Sequence, residues 1–557
     1  MTPDPIAAVE LAFDRIDAVF RPEIWVTRRF REEALCEAKD VAARLAAGED
    51  LPLAGRVIAV KDNIDVAGLP TTAAAPSYLY RPESDATAVA RLRAAGAVVL
   101  GKTNLDQFAT GLVGTRSPYG AVRNAWDPAR ISGGSSAGSA VAVALGIADA
   151  ALGTDTAGSG RVPAALNGIV GVKPTKGLVP LTGVVPACYT LDCVTVFARD
   201  LALGRLVADL MSGVDAADPL SRKAGAEMVL PPRPRVAVPT AEHLADMAPG
   251  WREAFEAAAA SLAASGVEIV EVDIAPLLEA AKMLYGGAFV AERYAAVGAH
   301  IEAHRDLIGS ELDPTVAAII LAGAMPSAAQ WAADTATLAR LGGAGRTLLD
   351  GCDALLTPTT TCHPTLDEVA ADPVGVNSRL GRFTNFANLL DLASLAVPAG
   401  FVDGLPFGVM FTGPAFSDRA LAELASRLLA PSLELFVVGA HLSGQPLNKE
   451  LVRAGGTLVR PARTAAAYRL RALATTPPKP GLVRVPAGGE SVEGEVWRLP
   501  AAGFGTFVAA VPPPMVIGTV ELADGGSVPG FLAEPWALEG AEDITAFGGW
   551  RNYLASR

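Results

Sequence analysis

The segment Arg130–Thr175 reads RISGGSSAGSAVAVALGIADAALGTDTAGSGRVPAALNGIVGVKPT and contains two glycine clusters that each carry a serine, Ser135 and Ser159. Between the clusters, the small apolar residues of 140–151 predict a buried helix. Glycines let backbone N–H groups approach a substrate closely, and a serine on such a turn is well placed to act as a nucleophile. The segment therefore predicts a site built around serine chemistry.

A lysine upstream of this segment is the best candidate for the base that would activate such a serine. Lys61 ends the apolar run of GRVIAVKDNID (55–65), and none of the five histidines is close to the serines in sequence. Lysine accepts a proton only when it is neutral, so its pKa must fall from about 10.4 towards 7–8. The run before Lys61 favours burial, which lowers a lysine pKa, whereas Asp62 would oppose this if its side chain pointed towards the lysine.

Three motifs, GGSSAGS, GTDTAGS and AVKDN, together resemble the amidase signature family, whose members hydrolyse amides with a Ser-cisSer-Lys triad. The resemblance implies that Ser159 is the nucleophile, Ser135 the cis-serine that relays the proton, and Lys61 the base. It also implies the family's fold, a mixed sheet covered by helices on both faces. Further segments extend the resemblance over residues 1–430: LPTTAA (69–74), GKTNLDQFATG (101–111), GIVGVKPT (168–175), DALLTPT (353–359), NFANLLDLASLAVPAG (385–400) and GLPFGVMFTGP (404–414).

The same resemblance implies roles for residues around the triad. Gly111, which ends the GKTNLDQFATG segment, is implied to contribute to substrate binding, and Asp155 and Arg161 to support the nucleophile. An oxyanion hole stabilises the negative charge that develops on the carbonyl oxygen, and losing one of its donors costs about 3–4 kcal/mol. The backbone N–H groups implied to form it are those of Thr156, Ala157, Gly158 and Ser159.

Two features point to one subgroup of the family. In TDTAGSGR, Ala157 stands where most members have the first glycine of a pair, and Gly160 where they have a bulky residue. This variant is similar to the allophanate hydrolases, in which a tyrosine and an arginine with the spacing of Tyr285 and Arg293 hold the substrate. Arginine suits a small anionic substrate because its fork binds a carboxylate through two hydrogen bonds. On one helix the two residues would lie about 12 Å apart along one face; without the resemblance, an ion pair between Arg293 and Glu292 is the simpler alternative.

After Leu429 the sequence predicts a small β-rich domain, because short β-favouring runs alternate with proline and glycine. Its opening run, LFVVGAHLSG, is similar to the first strand and loop of gamma-glutamyl cyclotransferase-like domains, as found at the C-terminus of allophanate hydrolases. Val438 and Ala440 replace the tyrosine and the serine or threonine of those domains, which argues against cyclotransferase chemistry. His441 could assist decarboxylation or proton transfer because the pKa of histidine lies near neutrality, or it could cap the strand or contact a partner subunit. The predicted strands are LELFVVGA (433–440), GTLVRPA (456–462), GLVRVPA (481–487), GEVWRLP (494–500) and MVIGTVEL (515–522).

Two further motif matches do not fit their structural contexts. The sequence GAVVLGKT (96–103) matches the phosphate-binding loop pattern, but its AVVL predicts a strand where that loop needs flexible residues. The sequence GSSAG (134–138) matches the nucleophile elbow of another hydrolase fold, but the segment before it is loop-like rather than a strand. We therefore expect neither phosphate binding at the first motif nor a Ser-His-acid triad at the second.

Composition limits the partners and the compartment. The 557 residues carry a net charge of −13 with no dense Lys/Arg run, which argues against binding of nucleic acid or anionic membranes. The N-terminus lacks a basic stretch leading into an apolar run, and no apolar stretch reaches the ~18 residues of a membrane span. The five cysteines are scattered and odd in number, which is typical of free thiols in a reducing cytoplasm rather than of disulfides or a metal site.

We therefore expect an α/β protein with an amidase-signature domain over 1–430 and a small β-rich α+β domain over 431–557. The resemblance implies a cytoplasmic, stand-alone, homodimeric enzyme that needs no cofactor or metal. Its substrate would be allophanate, a small carboxylated amide, hydrolysed to ammonia and carbon dioxide during urea or cyanurate breakdown. Two alternatives stay open: an amidase for another small acid such as malonamate, and a non-catalytic assembly subunit that retains the fold.

Overall fold

The structure is a computed structural model that describes residues 4–430, 432–454 and 456–557. The chain divides into two units by the contacts within it. The first unit comprises the chain up to Ala259 and Glu268–Ser426, and the second comprises Ala260–Val267 and Arg427–Arg557.

Apolar runs of the first unit form one large mixed sheet. Its strands are β1 (Trp25–Arg28), β2 (Val57–Lys61), β3 (Val98–Thr103), β4 (Ala150–Asp155), β5 (Val170–Lys173), β6 (Cys193–Ala198), β7 (Arg235–Pro239), β8 (Glu268–Val272), β9 (Ala354–Pro358), β10 (Leu392–Val402) and β11 (Leu405–Pro414). Within the described residues they lie in the order β1-β3-β2-β4-β6-β5-β10-β11-β9-β7-β8. Strand β2 pairs in parallel with both β3 and β4, so the carboxyl ends of these three strands meet at one edge of the sheet.

Both faces of the central sheet are covered, because every residue of β2, β3, β4 and β6 is buried. Successive side chains of a strand point to opposite faces, so a strand buried at every position must be covered on both sides. This is the α/β fold that the sequence predicts. The helices up to residue 429 are α1 (Pro5–Val19), α2 (Arg31–Ala46), α3 (Thr87–Ala94), α4 (Ala137–Ala144), α5 (Val162–Asn167), α6 (Leu201–Met211), α7 (Trp251–Ala264), α8 (Ala275–Gly286), α9 (Ala291–Ala303), α10 (Pro314–Ala322), α11 (Ala328–Leu348), α12 (Leu366–Ala371), α13 (Gly375–Leu380), α14 (Asn385–Leu389) and α15 (Asp418–Leu429).

The helix predicted over 140–151 is wrong in its second half. Helix α4 ends at Ala144, and Ala150 already begins strand β4. Gly146 adopts a φ of 69°, and its N–H bonds to Val143 O, which closes the helix in the left-handed conformation that glycine favours. A short apolar run fits a buried strand as well as a buried helix, which is why the sequence pattern alone could not separate the two.

The second unit is β-rich, as the sequence predicts. Its strands are β12 (Ser432–Val437), β13 (Thr457–Arg463), β14 (Tyr468–Leu473), β15 (Lys479–Arg484), β16 (Glu493–Pro500), β17 (Met515–Glu521), β18 (Ser527–Ala533) and β19 (Glu542–Asp543). Its described helices that follow residue 430 are α16 (Asn448–Arg453), α17 (Ala501–Ala509) and α18 (Trp550–Ala555). Strands in the order β13-β16-β12-β18-β17 form one sheet, and β15-β14-β19 a second. Each of the five predicted strands overlaps an observed strand, whereas β14, β18 and β19 were not predicted.

No helix in the described part of the chain combines the length and apolar character that a membrane crossing requires. All five cysteines lie among the described residues, and each carries a free thiol.

Candidate active site

Lys61 is the last residue of β2, and its side chain is fully buried. Its Nζ donates hydrogen bonds to Ser135 Oγ over 2.7 Å and to Thr154 Oγ1 over 2.8 Å. Thr154 belongs to the neighbouring parallel strand β4, so both side chains lie near the same edge of the sheet. Two of the three predicted triad residues, Lys61 and Ser135, are therefore in direct contact.

The environment of Lys61 changes its proton affinity. Burial, aided by the positive charge of Arg293, lowers the pKa of Lys61 from 10.5 to about 7, although the charges of Asp106, Asp192 and Asp155 act to raise it. With this pKa, a large fraction of the lysine is neutral near pH 7. A neutral amine in contact with a hydroxyl can accept its proton.

Asp62, which would have opposed this shift, belongs to a different buried pair. Its Oδ1 lies 3.1 Å from Lys102 Nζ, and both side chains are fully buried. Its Oδ2 accepts hydrogen bonds from the backbone N–H and the hydroxyl of Thr72. Lys102 stands in strand β3, so the motif at 96–103 is part of the sheet and not a phosphate-binding loop, as expected.

Ser135 lies in the loop that precedes α4, where backbone contacts fix its position. The Gly134–Ser135 peptide bond is cis, at the position where the resemblance implied a cis-serine. The Ser135 carbonyl accepts a hydrogen bond from Asp106 N–H over 3.1 Å. The next residue, Ser136, donates from its hydroxyl to Thr154 O over 3.1 Å. These contacts join the loop to β4 and hold the Ser135 hydroxyl beside Lys61.

Ser159 lies on the turn between β4 and α5 and is 2% exposed. Its hydroxyl donates to Gly111 O over 3.4 Å, a long hydrogen bond. Among the described residues, no hydrogen bond joins Ser159 directly to Ser135, whose hydroxyl is held by Lys61. The structure therefore gives the two serines separate partners.

A buried ion pair supports the turn that carries Ser159. Arg161 donates from Nε to Asp155 Oδ2 over 2.9 Å and from Nη2 to Asp155 Oδ1 over 2.8 Å, and both side chains are fully buried. Gly160 N–H donates to the same carboxylate over 2.9 Å. Although burial acts to raise it, the pKa of Asp155 is lowered by the charge of Arg161. The charged pair fixes both ends of the turn.

Four consecutive backbone donors in this turn lack an acceptor. Within the described chain, no carbonyl or side chain accepts a hydrogen bond from the N–H groups of residues 156–159, and all four residues are buried. Buried backbone N–H groups without a partner are rare in folded proteins. These donors can therefore bind an oxygen atom of a ligand.

Gly111 accepts the Ser159 hydrogen bond in a loop shaped by a buried carboxylate. Asp106 accepts hydrogen bonds from three backbone N–H groups within 113–116, over 3.0 to 3.1 Å. A Cβ atom at Gly111 would lie 2.5 Å from Asp106 Oδ2, so no side chain fits there. The glycine allows the loop to pass close to the carboxylate and to present its carbonyl to Ser159.

Tyr285 and Arg293 are in direct contact, but the predicted arrangement along one helix is wrong. Tyr285 lies in α8 and Arg293 in α9, and the helical conformation is interrupted between them at Gly287. The break lets Arg293 Nη2 donate to Tyr285 Oη over 3.2 Å, with the guanidinium carbon 5.0 Å from the ring centroid. The alternative ion pair with Glu292 is also wrong, because that carboxylate accepts hydrogen bonds from Thr190.

Arg293 is a buried cation with unused hydrogen-bonding capacity. It is 1% exposed, and its Nη1 donates to Thr110 Oγ1 over 2.9 Å, next to Gly111. Among the described residues, no acidic side chain forms an ion pair with it, and its buried Nε has no hydrogen-bond partner. Because buried charges are normally paired, this guanidinium is suited to bind an anion.

Tyr285 also lines a cleft of about 740 Å³ in the first unit. Lys282, Arg379 and Arg382 contribute positive charge to this cleft, and Asn385 forms part of its wall. Asn385 is 7% exposed. The cleft therefore brings three basic side chains and one acidic side chain, Glu279, near Tyr285 in a largely apolar wall.

His441 lines a separate cavity of about 500 Å³ in the second unit, together with Glu450, Arg453 and Lys479. Its Nε2 lies 3.1 Å from Glu450 Oε2, and its ring stacks on Phe531 with 4.9 Å between centroids. Burial lowers the pKa of His441 although the Glu450 carboxylate acts to raise it. The imidazole thus faces a cavity that contains both a carboxylate and two cations.

One group of side chains in the described chain has the spacing of metal ligands. Ligand atoms of Glu242, His243 and Asp273 lie within 4.8 Å of one another. His243 Nε2 lies 2.6 Å from Asp273 Oδ1, so a hydrogen-bond contact already joins two members of the group. It takes no part in the geometry around Lys61.

Comparison with protein families assigns both parts of the chain. The amidase family model matches residues 7–422. The chain belongs to the amidase family. A second model, the allophanate hydrolase C-terminal domain, matches residues 433–555.

Relatives of this amidase-family chain include proteins that match nearly all of it and proteins that match about 70% of it. Urea amidolyase of Saccharomyces cerevisiae is 43% identical over 574 residues, which cover 95% of this chain and 31% of the relative. The 2-amino-5-chloromuconic acid deaminase of Comamonas testosteroni is 35% identical, covering 70% of this chain and 84% of the relative. The solved structure of Kluyveromyces lactis allophanate hydrolase is 41% identical with a TM-score of 0.70, covering 99% of this chain and 97% of that one. The chain spans less than a third of the length of the curated urea amidolyases it matches.

Sequence reasoning missed three polar residues that contact this amidase-family site: Thr154, Asp106 and Asn385. Thr154 and Asp106 lie inside the matching segments GTDTAGS and GKTNLDQFATG, and Asn385 begins NFANLL. All three lie in segments that resemble the family. For Thr154 there was a second signal, because a polar side chain in a buried strand needs a hydrogen-bond partner. Nothing in the linear pattern shows which atoms they contact.

Proposed function

We propose that this chain hydrolyses allophanate to ammonia and carbon dioxide, with Ser159 as nucleophile, Ser135 as proton relay and Lys61 as base. The observation that carries the proposal is the buried contact between Lys61 and Ser135, at the edge of the sheet where the Ser159 turn begins. The likeness to Kluyveromyces lactis allophanate hydrolase over nearly the full length of both chains supports the choice of substrate.

The first half of the reaction forms an ester on Ser159. As the substrate binds, the hydroxyls of Ser159 and Ser135 approach each other, and Ser159 Oγ attacks the carbonyl carbon of the terminal amide. The Ser159 proton passes to Ser135 Oγ, which gives its own proton to neutral Lys61. The carbonyl electron pair moves to oxygen, where the N–H groups of residues 156–159 stabilise the charge. The C–N bond then breaks, and Lys61 returns its proton through Ser135 to the nitrogen that leaves as ammonia.

The second half removes the acyl group. A water molecule attacks the ester carbonyl and gives its proton to neutral Lys61 by the same path. The bond to Ser159 Oγ then breaks as Lys61 returns that proton through Ser135 to Ser159 Oγ. The product is a carbamate that carries a second carboxylate. Loss of carbon dioxide from this product, followed by breakdown of the remaining carbamate, gives the final carbon dioxide and ammonia.

Arg293 and Tyr285 would orient the substrate by holding its carboxylate. The guanidinium has an unused buried donor, and Thr110 links it to the Gly111 loop that contacts Ser159. A carboxylate bound there leaves the amide end of a short substrate to reach the Ser159 turn. This arrangement favours a small molecule with a carboxylate at one end and a primary amide at the other.

The Arg293→Ala variant is expected to raise KM for allophanate and malonamate on the order of 10- to 100-fold, while KM for uncharged amides changes little. The reason is that a charge-assisted contact of this kind contributes about 1.5–3 kcal/mol. Steady-state ammonia release measures the effect. Arg293→Lys is the matched control, because it keeps the charge but loses the fork, and we expect an intermediate KM. Equal losses on charged and uncharged substrates would assign Arg293 to structure instead.

We further propose that the His441 cavity acts on the carboxylated product of the first step, by assisting decarboxylation or proton transfer. The support is chemical: Arg453 and Lys479 can attract carboxylates, and the His441–Glu450 pair can hold or supply a proton. A histidine that only capped the strand would not need a carboxylate and two cations beside it.

The His441→Ala variant is expected to release the first ammonia at the wild-type rate but to slow the appearance of carbon dioxide. Carbon-13 NMR of labelled allophanate would show the dicarboxylated intermediate accumulating. Glu450→Gln is the companion variant, because it removes the charge that pairs with the imidazole. An unchanged time course for all products in both variants would exclude a chemical role for the cavity.

We also propose that the two parts meet near residue 430, and that the enzyme is a cytoplasmic homodimer. The first family match ends at 422 and the second begins at 433, and the chain passes from the first structural unit to the second between Ser426 and Arg427, apart from Ala260–Val267. Free thiols are compatible with a reducing compartment. Light scattering of the full chain should give twice the mass of one chain.

Ammonia release from a panel of allophanate, malonamate, biuret and simple amides tests the proposed function. We expect the highest kcat/KM with allophanate, because biuret has nearly the same shape but replaces the carboxylate with an uncharged amide. A higher kcat/KM with malonamate would make the chain an amidase for that acid. No ammonia from any carboxylated amide would favour the non-catalytic assembly role.

A further inference from the structure

Helix α14 and the residue before it hold the turn that carries Ser159. Asn388 Nδ2 donates to Asp155 O over 2.8 Å, and Thr384 O accepts a hydrogen bond from Arg161 Nη1 over 3.0 Å. All four residues are fully buried. The two ends of the turn, at Asp155 and Arg161, are thus fixed by α14 and by the residue before it.

Asn385 makes a third contact, at the middle of the turn. Its carboxamide satisfies its neighbours with the nitrogen directed to Ala157 O over 2.9 Å and to Gly381 O over 3.3 Å. Asn385 therefore holds one carbonyl of the segment whose N–H groups are without acceptors.

That carbonyl determines the direction of an N–H group. Ala157 C=O and Gly158 N–H belong to one planar trans peptide, in which the two bonds point in opposite directions. Rotating this peptide about its flanking bonds would turn the N–H away from the site, and glycine at 158 offers little resistance to such a rotation. A hydrogen bond on Ala157 O therefore fixes where Gly158 N–H points.

A residue with a side chain at position 158 would resist this rotation, but the structure has no room for one. A Cβ atom at Gly158 would lie 2.4 Å from Thr384 Oγ1 and 2.8 Å from Thr384 Cβ, so a side chain has no room. Because Thr384 lies so close, position 158 requires glycine, and the peptide needs an external restraint. Asn385 is the side chain placed to provide it.

We propose that Asn385 is a positioning residue for the oxyanion hole, which holds Ala157 O so that Gly158 N–H faces the substrate carbonyl oxygen. The inference rests on the proposed function of Ser159 as nucleophile. Asn385 acts through the Ala157–Gly158 peptide, whereas Arg293 and Tyr285 hold the carboxylate. Its removal should therefore weaken binding of the tetrahedral species and leave ground-state binding nearly unchanged.

The Asn385→Leu variant keeps the approximate shape of the side chain, removes its donor and adds no charge. We expect kcat for allophanate to fall about 100-fold, the effect of losing one oxyanion donor, with KM changed less than about threefold. Asn385→Ala is the second variant, for use if the first does not fold. Ser378→Ala is the matched control, because Ser378 lines the same cleft but its hydroxyl bonds to Val374 O.

Two inhibitors distinguish a misplaced oxyanion donor from a general loss of active-site structure. Methylboronic acid probes the tetrahedral state, since Ser159 Oγ adds to boron and a boron-bound oxygen enters the oxyanion hole. Malonate probes carboxylate binding alone. In the folded Asn385 variants, the Ki for the boronic acid should rise by about the same factor as kcat falls, and the Kd for malonate should stay at the wild-type value.

Unchanged kcat and boronic acid affinity in a folded Asn385 variant would overturn the inference, as would equal losses of boronic acid and malonate affinity. The wild-type enzyme tests the proposed function separately. If a crystal structure of the wild type with methylboronic acid showed no bond between boron and Ser159 Oγ, the nucleophile assignment would fail and the role of Asn385 would fail with it.

Discussion

Replacing Ser159 with alanine is expected to abolish ammonia release from allophanate, with a loss in kcat on the order of 10⁶-fold, as found when a serine hydrolase loses its nucleophile. The Ser159 hydroxyl is the proposed attacking group, so its loss removes the covalent route; the other hydroxyl of this turn, Thr156 Oγ1, is hydrogen-bonded to Asp192. The side chain has one long hydrogen bond to Gly111 O within the described residues, so its removal should leave folding intact. Ammonia release and thermal unfolding of the variant measure the two effects.

Ser136→Ala is the control for this experiment. Ser136 is a fully buried serine of the neighbouring glycine cluster, and its hydroxyl bonds to the backbone of Thr154 rather than to Lys61. We expect this variant to lose less than about tenfold in kcat, since only two neutral hydrogen bonds to the backbone of Thr154 are removed. Ser135→Ala should lose several orders of magnitude, because it breaks the path between Ser159 and Lys61. Similar losses in the Ser135 and Ser136 variants would argue against a specific relay.

Replacing Lys61 with methionine is expected to lower kcat/KM by several orders of magnitude, because the proton of Ser159 then has no base. In the wild type, kcat/KM should rise about tenfold per pH unit below 7 and become level above pH 8, since only neutral Lys61 accepts a proton and its pKa is about 7. The direction follows from burial, which favours the neutral amine and so moves its titration from alkaline pH to neutral pH.

The Lys61→Arg variant tests whether activity needs only a positive charge at position 61 or needs a side chain that can accept a proton. Arginine keeps a positive charge in the buried site but does not lose its proton in a protein. We therefore expect no recovery of activity at high pH in this variant. A wild-type profile that is flat between pH 6 and 9, or an active Lys61→Arg enzyme, would show that another group acts as the base.

Much of the site around Lys61 could be predicted from local sequence. The run VIAV before Lys61 indicated a buried strand, and the strand β2 buries the lysine completely. The direction of Asp62 was left open, and local sequence does not settle it, because Asp62 lies in the turn after β2; in the structure its carboxylate faces Lys102.

The break between Tyr285 and Arg293 also had a local signal that the spacing argument overlooked. Gly286 and Gly287 stand together between these residues, and a glycine pair is a common end to a helix. The direct contact of the two side chains depends on this break, because a continuous helix would hold them about 12 Å apart.

The contacts made by α14 had no such signal. Asn385 and Ala157 are far apart in sequence, and they meet only because the fold brings α14 against the turn after β4. The same holds for the pairing of Asp62 with Lys102, which requires the register of two parallel strands. Local patterns predict elements and buried positions, whereas partners across the fold depend on how the whole sheet assembles.

A crystal structure of the Ser159→Ala variant with allophanate bound tests the central claim most directly. The account predicts that the carboxylate of the substrate lies against the Arg293 guanidinium and Tyr285 Oη. It also predicts that the amide carbonyl carbon lies over residue 159, with its oxygen towards the N–H groups of residues 156–159. A substrate bound in the opposite direction, or bound only in another cavity, would contradict it.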